Sequence, residues 1–432
     1  MGEKGAWEQM DFSNVLVLSN ECFSKTTSNG RTLGNFFADW PNENLAQFFI
    51  SGTPDTEYCK NYFQVSDRQA LNALLHKGNN GGRIDAENIQ RILPGYSNPK
   101  KTKRNALTML LREFVWKTGR WKKSGYWRWV EEFHPTIVLL QAGDCAFMFN
   151  LACRTAKKLG AKLVIYNTEG YYFKDFDYFK GTGIAHKIFP FFLSKLKYAI
   201  RKGYRRADYA IFNCETLCQD FCKEFNIPSS VIYTATDLLD VNSDKEPDER
   251  FIVTYAGNLG VGRPQSLVDI ANVLQEIGEN YFLDIYGTIP NDAARELFEN
   301  CKGISFHGKV SYDEVKKVMS ESDLLVHVEG FDSYYIKDLK YAFSTKIADC
   351  LASNRCFLMY APTSFAGTQY LMDNKAAYVA STKEELKEAL MKLISAPELR
   401  KKYLSNAQRL ATINHNRDTS VATFQKILCE LV

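Results

Sequence analysis

The sequence predicts an α/β protein of two doubly wound domains in series, their sheets facing a central cleft. Three observations carry this expectation. Short runs that are almost continuously apolar, as strands buried on both faces are, alternate with longer helical patterns. The alternation stops at a polar stretch, "TDLLDVNSDKEPDER" from Thr236 to Arg250, and then restarts. The 432 residues, 45% hydrophobic and 24% charged, are enough for two large cores.

Taken in order, "NVLVLS" is the first strand. It is followed by "SKTTSNGRTLGNFF", where Asn29, Gly30 and Arg31 read as a loop ahead of a helix. "NLAQFFISG", "TIVLLQAG", "KLVIYNTEG" and "YAIFNCE" continue the alternation. Asp144, Glu169 and His134 lie at or beside strand ends, where parallel sheets place ligands. Each reads equally well as a cap or a salt-bridge partner. The expected domains are 1–238 and 251–414, both Rossmann-like, with 415–432 as a C-terminal helix able to pack on either.

The second domain opens with "FIVTYAGNLGVGRPQSLVDIANVL". A strand runs into a loop holding Gly257, Asn258, Gly260 and Gly262, and Pro264 suits the first turn of the next helix. Amides of such a loop bind phosphate oxygens, and Arg263 is expected as a planar cation at the rim. A plain tight turn fits the same residues. "YFLDIYG", "ISFHGKV", "LLVHVE", "RCFLMYA" and "AAYVAS" complete the strands.

"YAFSTKIADCLASN", Tyr341–Asn354, is the most informative helix. Ser344 reads as its N-cap. Thr345 and Lys346 stand where the helix dipole favours an anion, and Asp349 lies one turn deeper on the face of Thr345. Such a start suits a nucleoside diphosphate, with phosphates at Ser344, Thr345 and Lys346 and ribose hydroxyls at Asp349. A capped helix with a solvated Lys fits too.

The order "YAGN…G…R", "DIYGT", "ISFHGKV", "LLVHVEGF", "STKIADCLASN", "CFLMY" resembles the C-terminal half of retaining GT-B glycosyltransferases, over residues 251–380. The resemblance implies a GT-B fold with a nucleotide-sugar donor, here a UDP-sugar. Gly257, Asn258, Gly260, Arg263 and Gly287 match its donor loops. Lys309 and Val310 match the segment that meets the nucleobase. Glu329 matches the first of two family acids, and Asp349 the second, with Asp for the usual Glu. The family's seven-residue spacing is broken by the inserted "GFDSYYIKDLKYAFSTKIA", whose Asp332, Tyr334 and Tyr335 are candidate lid residues. Glu329, Arg263 and Lys346 are the implied catalytic residues. Stabilisation of the leaving diphosphate by amides and cations implies retention without metal or other cofactor. Asn29, Gly30, Arg31, Asp144 and Glu169 are the acceptor-side candidates.

Composition narrows the setting. No run is long and apolar enough to cross a bilayer, and no signal peptide or myristoylation signal is expected. The 11 Cys, scattered through apolar runs, read as reduced thiols of a cytoplasmic protein rather than a disulfide framework. Cys214, Cys218 and Cys222 fall at helical spacing and read as a buried stripe. Asp175 and Asp177 in "KDFDYF" form the D-x-D of metal-dependent transferases of another fold, but no nucleotide-binding pattern surrounds them, and a surface loop is preferred.

The net charge of +4 hides an asymmetry. Residues 100–206 carry 23 Lys and Arg against 7 Asp and Glu, and the rest 31 against 43. Trp116, Trp121, Trp127 and Trp129 interleave with this basic stretch. In "HKIFPFFLSKLKYAIRKGYRRA", Leu193, Leu196 and Ile200 are expected as an apolar edge. Lys195, Lys197, Arg201, Lys202, Arg205 and Arg206 form the basic edge beside it. Residues 100–130 and 184–206 are therefore expected to face an anionic membrane rather than nucleic acid, and a solvated face with the aromatics in the core fits the same residues. The leading expectation is peripheral membrane transfer to a saccharide or lipid-linked acceptor. The alternatives are a nucleotide-sugar epimerase or hydrolase, and a non-catalytic membrane or nucleic-acid binding protein.

Overall fold

The computed structural model describes residues 12–25, 27–78, 80–84, 104–236, 238 and 251–432. The first eleven residues, positions 100–103 of the basic stretch and most of the expected linker at 236–250 lie outside these. The chain divides into two compact units, Met1–Ile232 with Val421–Val432, and Tyr233–Ser420.

Unit 1 is an eight-stranded sheet. Its strands are β1 (Val15–Leu18), β2 (Leu45–Phe49), β3 (Asn61–Gln64), β4 (Gly82–Ile84), β5 (Ile137–Gln141), β6 (Lys162–Asn167), β7 (Tyr209–Phe212) and β8 (Ser229–Val231). Their order is β4-β3-β2-β1-β5-β6-β7-β8, parallel except for the β3–β4 pair. Helices α1 (Ser28–Phe36), α2 (Asp67–Leu74), α3 (Ala106–Lys117), α4 (Tyr126–Phe133), α5 (Ala146–Leu159), α6 (Gly183–Arg206) and α7 (Glu215–Phe225) connect them. All four β1 side chains are buried, as the unbroken apolar run requires when helices cover both faces.

Unit 2 holds a six-stranded, all-parallel sheet of β9 (Val253–Ala256), β10 (Leu283–Tyr286), β11 (Ile304–Gly308), β12 (Leu324–Val328), β13 (Phe357–Tyr360) and β14 (Tyr378–Ala380). The order is β11-β10-β9-β12-β13-β14. Its helices are α8 (Arg263–Ile277), α9 (Asp292–Glu299), α10 (Tyr312–Glu321), α11 (Ser333–Asp338), α12 (Thr345–Ala352), α13 (Ala366–Asn374), α14 (Lys383–Ser395) and α15 (Pro397–Asn414). Strand order reverses between β9 and β12, so their C-terminal ends open a crevice of the kind that takes ligands.

A last helix, α16 (Arg417–Cys429), ends the chain. Phe424 stacks on Phe36 at 4.6 Å and meets Phe37 edge-on at 5.2 Å. The final residues thereby fill unit 1's core.

Three sequence expectations change. Asn29, Gly30 and Arg31 do not form a loop but open α1, whose N-cap is Thr27. Gly30 is required there, because a Cβ would lie 2.5 Å from the Cys22 carbonyl oxygen. Trp116, Trp121 and Trp129 are 2–3% exposed, so they are core rather than interfacial residues. They pack with Phe48, Phe63 and Tyr126. Leu193, Leu196 and Ile200 likewise face inward. Aromatic burial outweighs the pull of neighbouring lysines: Lys117 and Lys123 are exposed, while Lys122 lies over the Trp121 and Trp127 rings.

Candidate active site

The crevice of unit 2 is built by the loop after β9 and the residue after β12. The N–H of Gly257 donates to the Tyr286 carbonyl at 2.9 Å, and that of Gly287 to Gly308 at 2.8 Å, which laces three strand ends together. Asn258 shapes the loop. Its side-chain oxygen accepts from the Gly260 N–H at 2.8 Å, and its carbonyl accepts from the Tyr255 hydroxyl at 2.7 Å. Val261 and Gly262 both take positive φ, 53° and 81°. A β-branched residue in that region is strained, and such strain gathers at functional loops.

Arg263 follows, but not at the rim. Its side chain is 12% exposed. Nη2 and Nε donate to the two Glu329 oxygens at 2.9 and 3.1 Å, and Nε and Nη1 also donate to the carbonyls of Val328 and Asn258. The expected free cation is a buried fork that pins the β12 end to the Gly loop. Burial raises the Glu329 carboxyl. His327 and Arg263 outweigh it, so the group ends below its ordinary value. His327 Nε2 lies 3.4 Å from Glu329 Oε1, an ion-pair distance without hydrogen-bond geometry. Ser266 Oγ donates to the Glu329 carbonyl at 2.7 Å.

Helix α12 starts as its sequence implies. The Ser344 hydroxyl accepts from the Lys346 N–H at 3.3 Å. Ser344 and Glu329 line one small pocket with Leu339, Ala342, Ile347, Met359, Phe365 and Gly367. The structure thus brings Glu329 to the mouth of α12 across the inserted segment. Asp332 caps α11 by accepting from the Tyr334 N–H at 2.8 Å. The Tyr335 ring packs on the Gly loop, so that a Cβ on Gly262 would stand 2.8 Å from it.

Asp349 differs from expectation. It is buried, and both oxygens are engaged within unit 2. Thr236 donates to Oδ1 at 2.9 Å, Tyr312 to the same oxygen at 3.4 Å, and Lys346 Nζ to Oδ2 at 3.4 Å. The carboxylate ties the segment entering unit 2 to the helix instead of standing open to a ribose. Thr345 occupies the first helical position. Lys309 and Val310 directly follow β11, Lys309 exposed and Val310 half-buried. Beside them His307 stacks on Tyr286 at 4.6 Å and pairs with Asp284 at 2.9 Å.

In unit 1, Asp144 and Glu169 follow the neighbouring strands β5 and β6, and α1 follows β1. Asp144 is buried and paired with Arg104. The Glu169 N–H donates to Asn167 at 3.0 Å. His134 is the left-handed cap of α4, a backbone role. Asp177 accepts from the N–H groups of Phe179 and Gly181 and meets His186 at 3.0 Å, which makes it the organiser of its own loop. Sequence reasoning missed Thr236, Ser266, Tyr312 and His327. Ser266 alone carried a local signal, lying three residues after Arg263 on one helix face.

A protein-family profile described as "Glycosyl transferase-like" matches residues 270–426. No curated protein matches the chain. Among solved structures, sucrose-phosphate synthase from Thermosynechococcus elongatus is similar at 10% identity, covering 97% of this chain and 99% of that chain, with a TM-score of 0.61. Anabaena HepE in complex with UDP is similar at 11% identity, covering 96% of this chain and 100% of that chain, with a TM-score of 0.61. The α,α-trehalose 6-phosphate synthase of Burkholderia multivorans is 11% identical, covering 97% of each chain, with a TM-score of 0.55.

Proposed function

We propose, from the premise that this chain is a glycosyltransferase of the GT-B fold, that it moves a sugar from a UDP-sugar to a saccharide or lipid-linked acceptor. The observation that carries this reading is the meeting of Glu329, Arg263 and the α12 start at the β9–β12 switch point. Transfer expels a nucleoside diphosphate from an anomeric carbon that turns cation-like. The α12 amides and Lys346 take the growing negative charge of the leaving group. Glu329 faces the sugar, and Arg263 holds that carboxylate ionised and in place. The reaction keeps the anomeric configuration and needs no metal. Asp144, Glu169 and the start of α1 serve the acceptor.

The enzyme works at the cytoplasmic membrane surface in building a polysaccharide or glycoconjugate. No helix among the described residues is long and apolar enough to cross a membrane. A second reading, nucleotide binding without transfer, draws support from Asp349 and Arg263 being engaged inside the protein.

A thermal-shift screen of nucleotides and nucleotide sugars, followed by product analysis with and without lipid acceptor in EDTA, tests the reading. A shift with UDP-sugars and transfer in EDTA support it. A shift without transfer selects the second reading, and activity rescued only by Mn²⁺ or Mg²⁺ sinks metal independence. Asp349→Asn should weaken donor binding by loosening the α12 start, and unchanged affinity would remove Asp349 from the site.

A further inference from the structure

Six of the fourteen large hydrophobic side chains found exposed among the described residues lie on two helices, α3 and α6. These helices pack on one another. On α6 they are Ile184, Phe191 and Tyr198, 72%, 57% and 66% exposed. The spacing of seven sets them in one line along the helix. On α3 they are Leu107, Leu111 and Phe114, again on one face.

The charge carried by α6 itself has one sign, while Asp67 pairs with Arg112 of α3 and Asp177 with His186 of α6. Helix α6 has seven Lys and Arg and no Asp or Glu. Lys187, Lys195, Lys202 and Arg205 are exposed and lie within about 60° of the apolar line at 100° per residue. Lys195 Nζ sits 4.7 Å over the Phe191 ring. The one acid of α3, Glu113, is turned inward toward the first amides of α5, where burial pushes its carboxyl up to about 7. No carboxylate of either helix therefore opposes an anionic partner.

We infer that the outer faces of α3 and α6 form an interfacial docking surface for an anionic lipid leaflet, with Ile184, Phe191, Tyr198 and Phe114 entering the headgroup boundary. Charge complementarity selects the occupant. An apolar line edged by lysines on a helix lying along the surface matches what headgroups and acyl chains jointly offer. The inference rests on the lipid-acceptor reading above for its purpose, but it involves different residues.

The test is flotation of the full chain with vesicles of phosphatidylcholine alone and of phosphatidylcholine with phosphatidylglycerol. Binding to the anionic vesicles that weakens with salt is expected. Lys187→Gln/Lys195→Gln/Lys202→Gln should lose roughly a hundredfold in partitioning, at about fivefold for each cation near the surface. Phe114→Ser/Phe191→Ser should lose binding to the anionic vesicles as well. All five positions are exposed, and an unchanged thermal transition confirms that the variants fold. Equal flotation of wild type and variants, no flotation at all, or displacement from anionic vesicles by single-stranded DNA would each overturn the inference. Nucleotide thermal shift on the same samples separates the two readings. Flotation without a nucleotide shift ends the transfer reading and leaves this one standing.

Discussion

Acidification should loosen unit 2 before unit 1, and His415 sets the size of the effect. The ring is fully buried. Nδ1 donates to the Thr234 carbonyl at 2.7 Å, and Nε2 accepts from the Tyr370 hydroxyl at 3.0 Å. Burial pushes the imidazole down to about 4, despite the opposing bond to Thr234. An unfolded His titrates near 6.5. Below that value the unfolded chain holds a proton that the folded chain refuses, so stability falls as pH falls from 6.5 to 4. At about 1.4 kcal/mol per pH unit, the full loss is about 3 kcal/mol, and about 2 kcal/mol is already gone at pH 5. Thr234 leads directly to Thr236, the partner of Asp349, so the loss reaches the α12 start. All six Trp fall in the unit 1 sequence, which makes their fluorescence a monitor of that unit and far-UV circular dichroism the monitor of both. Urea unfolding at pH 7.5 and 5 should show an extra loss of about 2 kcal/mol in the transition that fluorescence does not report. His415→Gln should remove the extra loss. Parallel losses in wild type and variant would refute the reasoning.

Other perturbations separate the remaining roles. Arg263→Met strands the Glu329 carboxylate, only 8% exposed, and should cost unit 2 about 3–5 kcal/mol by thermal melting. A loss below about 1 kcal/mol would mean the pair carries little. Gly262→Ala should cost about 1–2 kcal/mol from the left-handed backbone and more from the Tyr335 ring. Adding Tyr335→Ala should recover only the second part. Phe424→Ala empties the space between Phe36 and Phe37 and should cost unit 1 about 3–5 kcal/mol, read by Trp fluorescence.

The central strands were legible because parallel strands covered on both faces carry unbroken apolar runs, as "VLVL" and "IVLLQ" do. The short strands β3, β4 and β8, with sequences such as "SSV", carry no such run. The loop, strand end and helix start of the candidate site were visible as local punctuation. Their partners were not: Arg263 meets Glu329 across 66 positions, and Thr236 meets Asp349 across 113. Composition drew attention to Trp, yet helical phase decides exposure. The line Ile184, Phe191, Tyr198 was present in the sequence at a spacing of seven, masked by the buried Leu193 and Leu196 between its members.

Unit 1 is discontinuous in sequence, since residues 421–432 complete a core begun near residue 15. Synthesis runs in one direction. The pocket for Phe424, between Phe36 and Phe37, is translated early and filled last. At about 5–20 residues per second, the emergence of α16 trails the rest of unit 1 by roughly 10–40 s. Unit 2, continuous from Tyr233 to Ser420, is made during that wait, and its last residue precedes unit 1's by twelve. The order of maturation on the ribosome is therefore inverted, with the later-made unit finished first. Chains stalled before residue 421 should yield unit 1 to protease while unit 2 resists, and equal resistance of both would show that the early segment closes without its last helix.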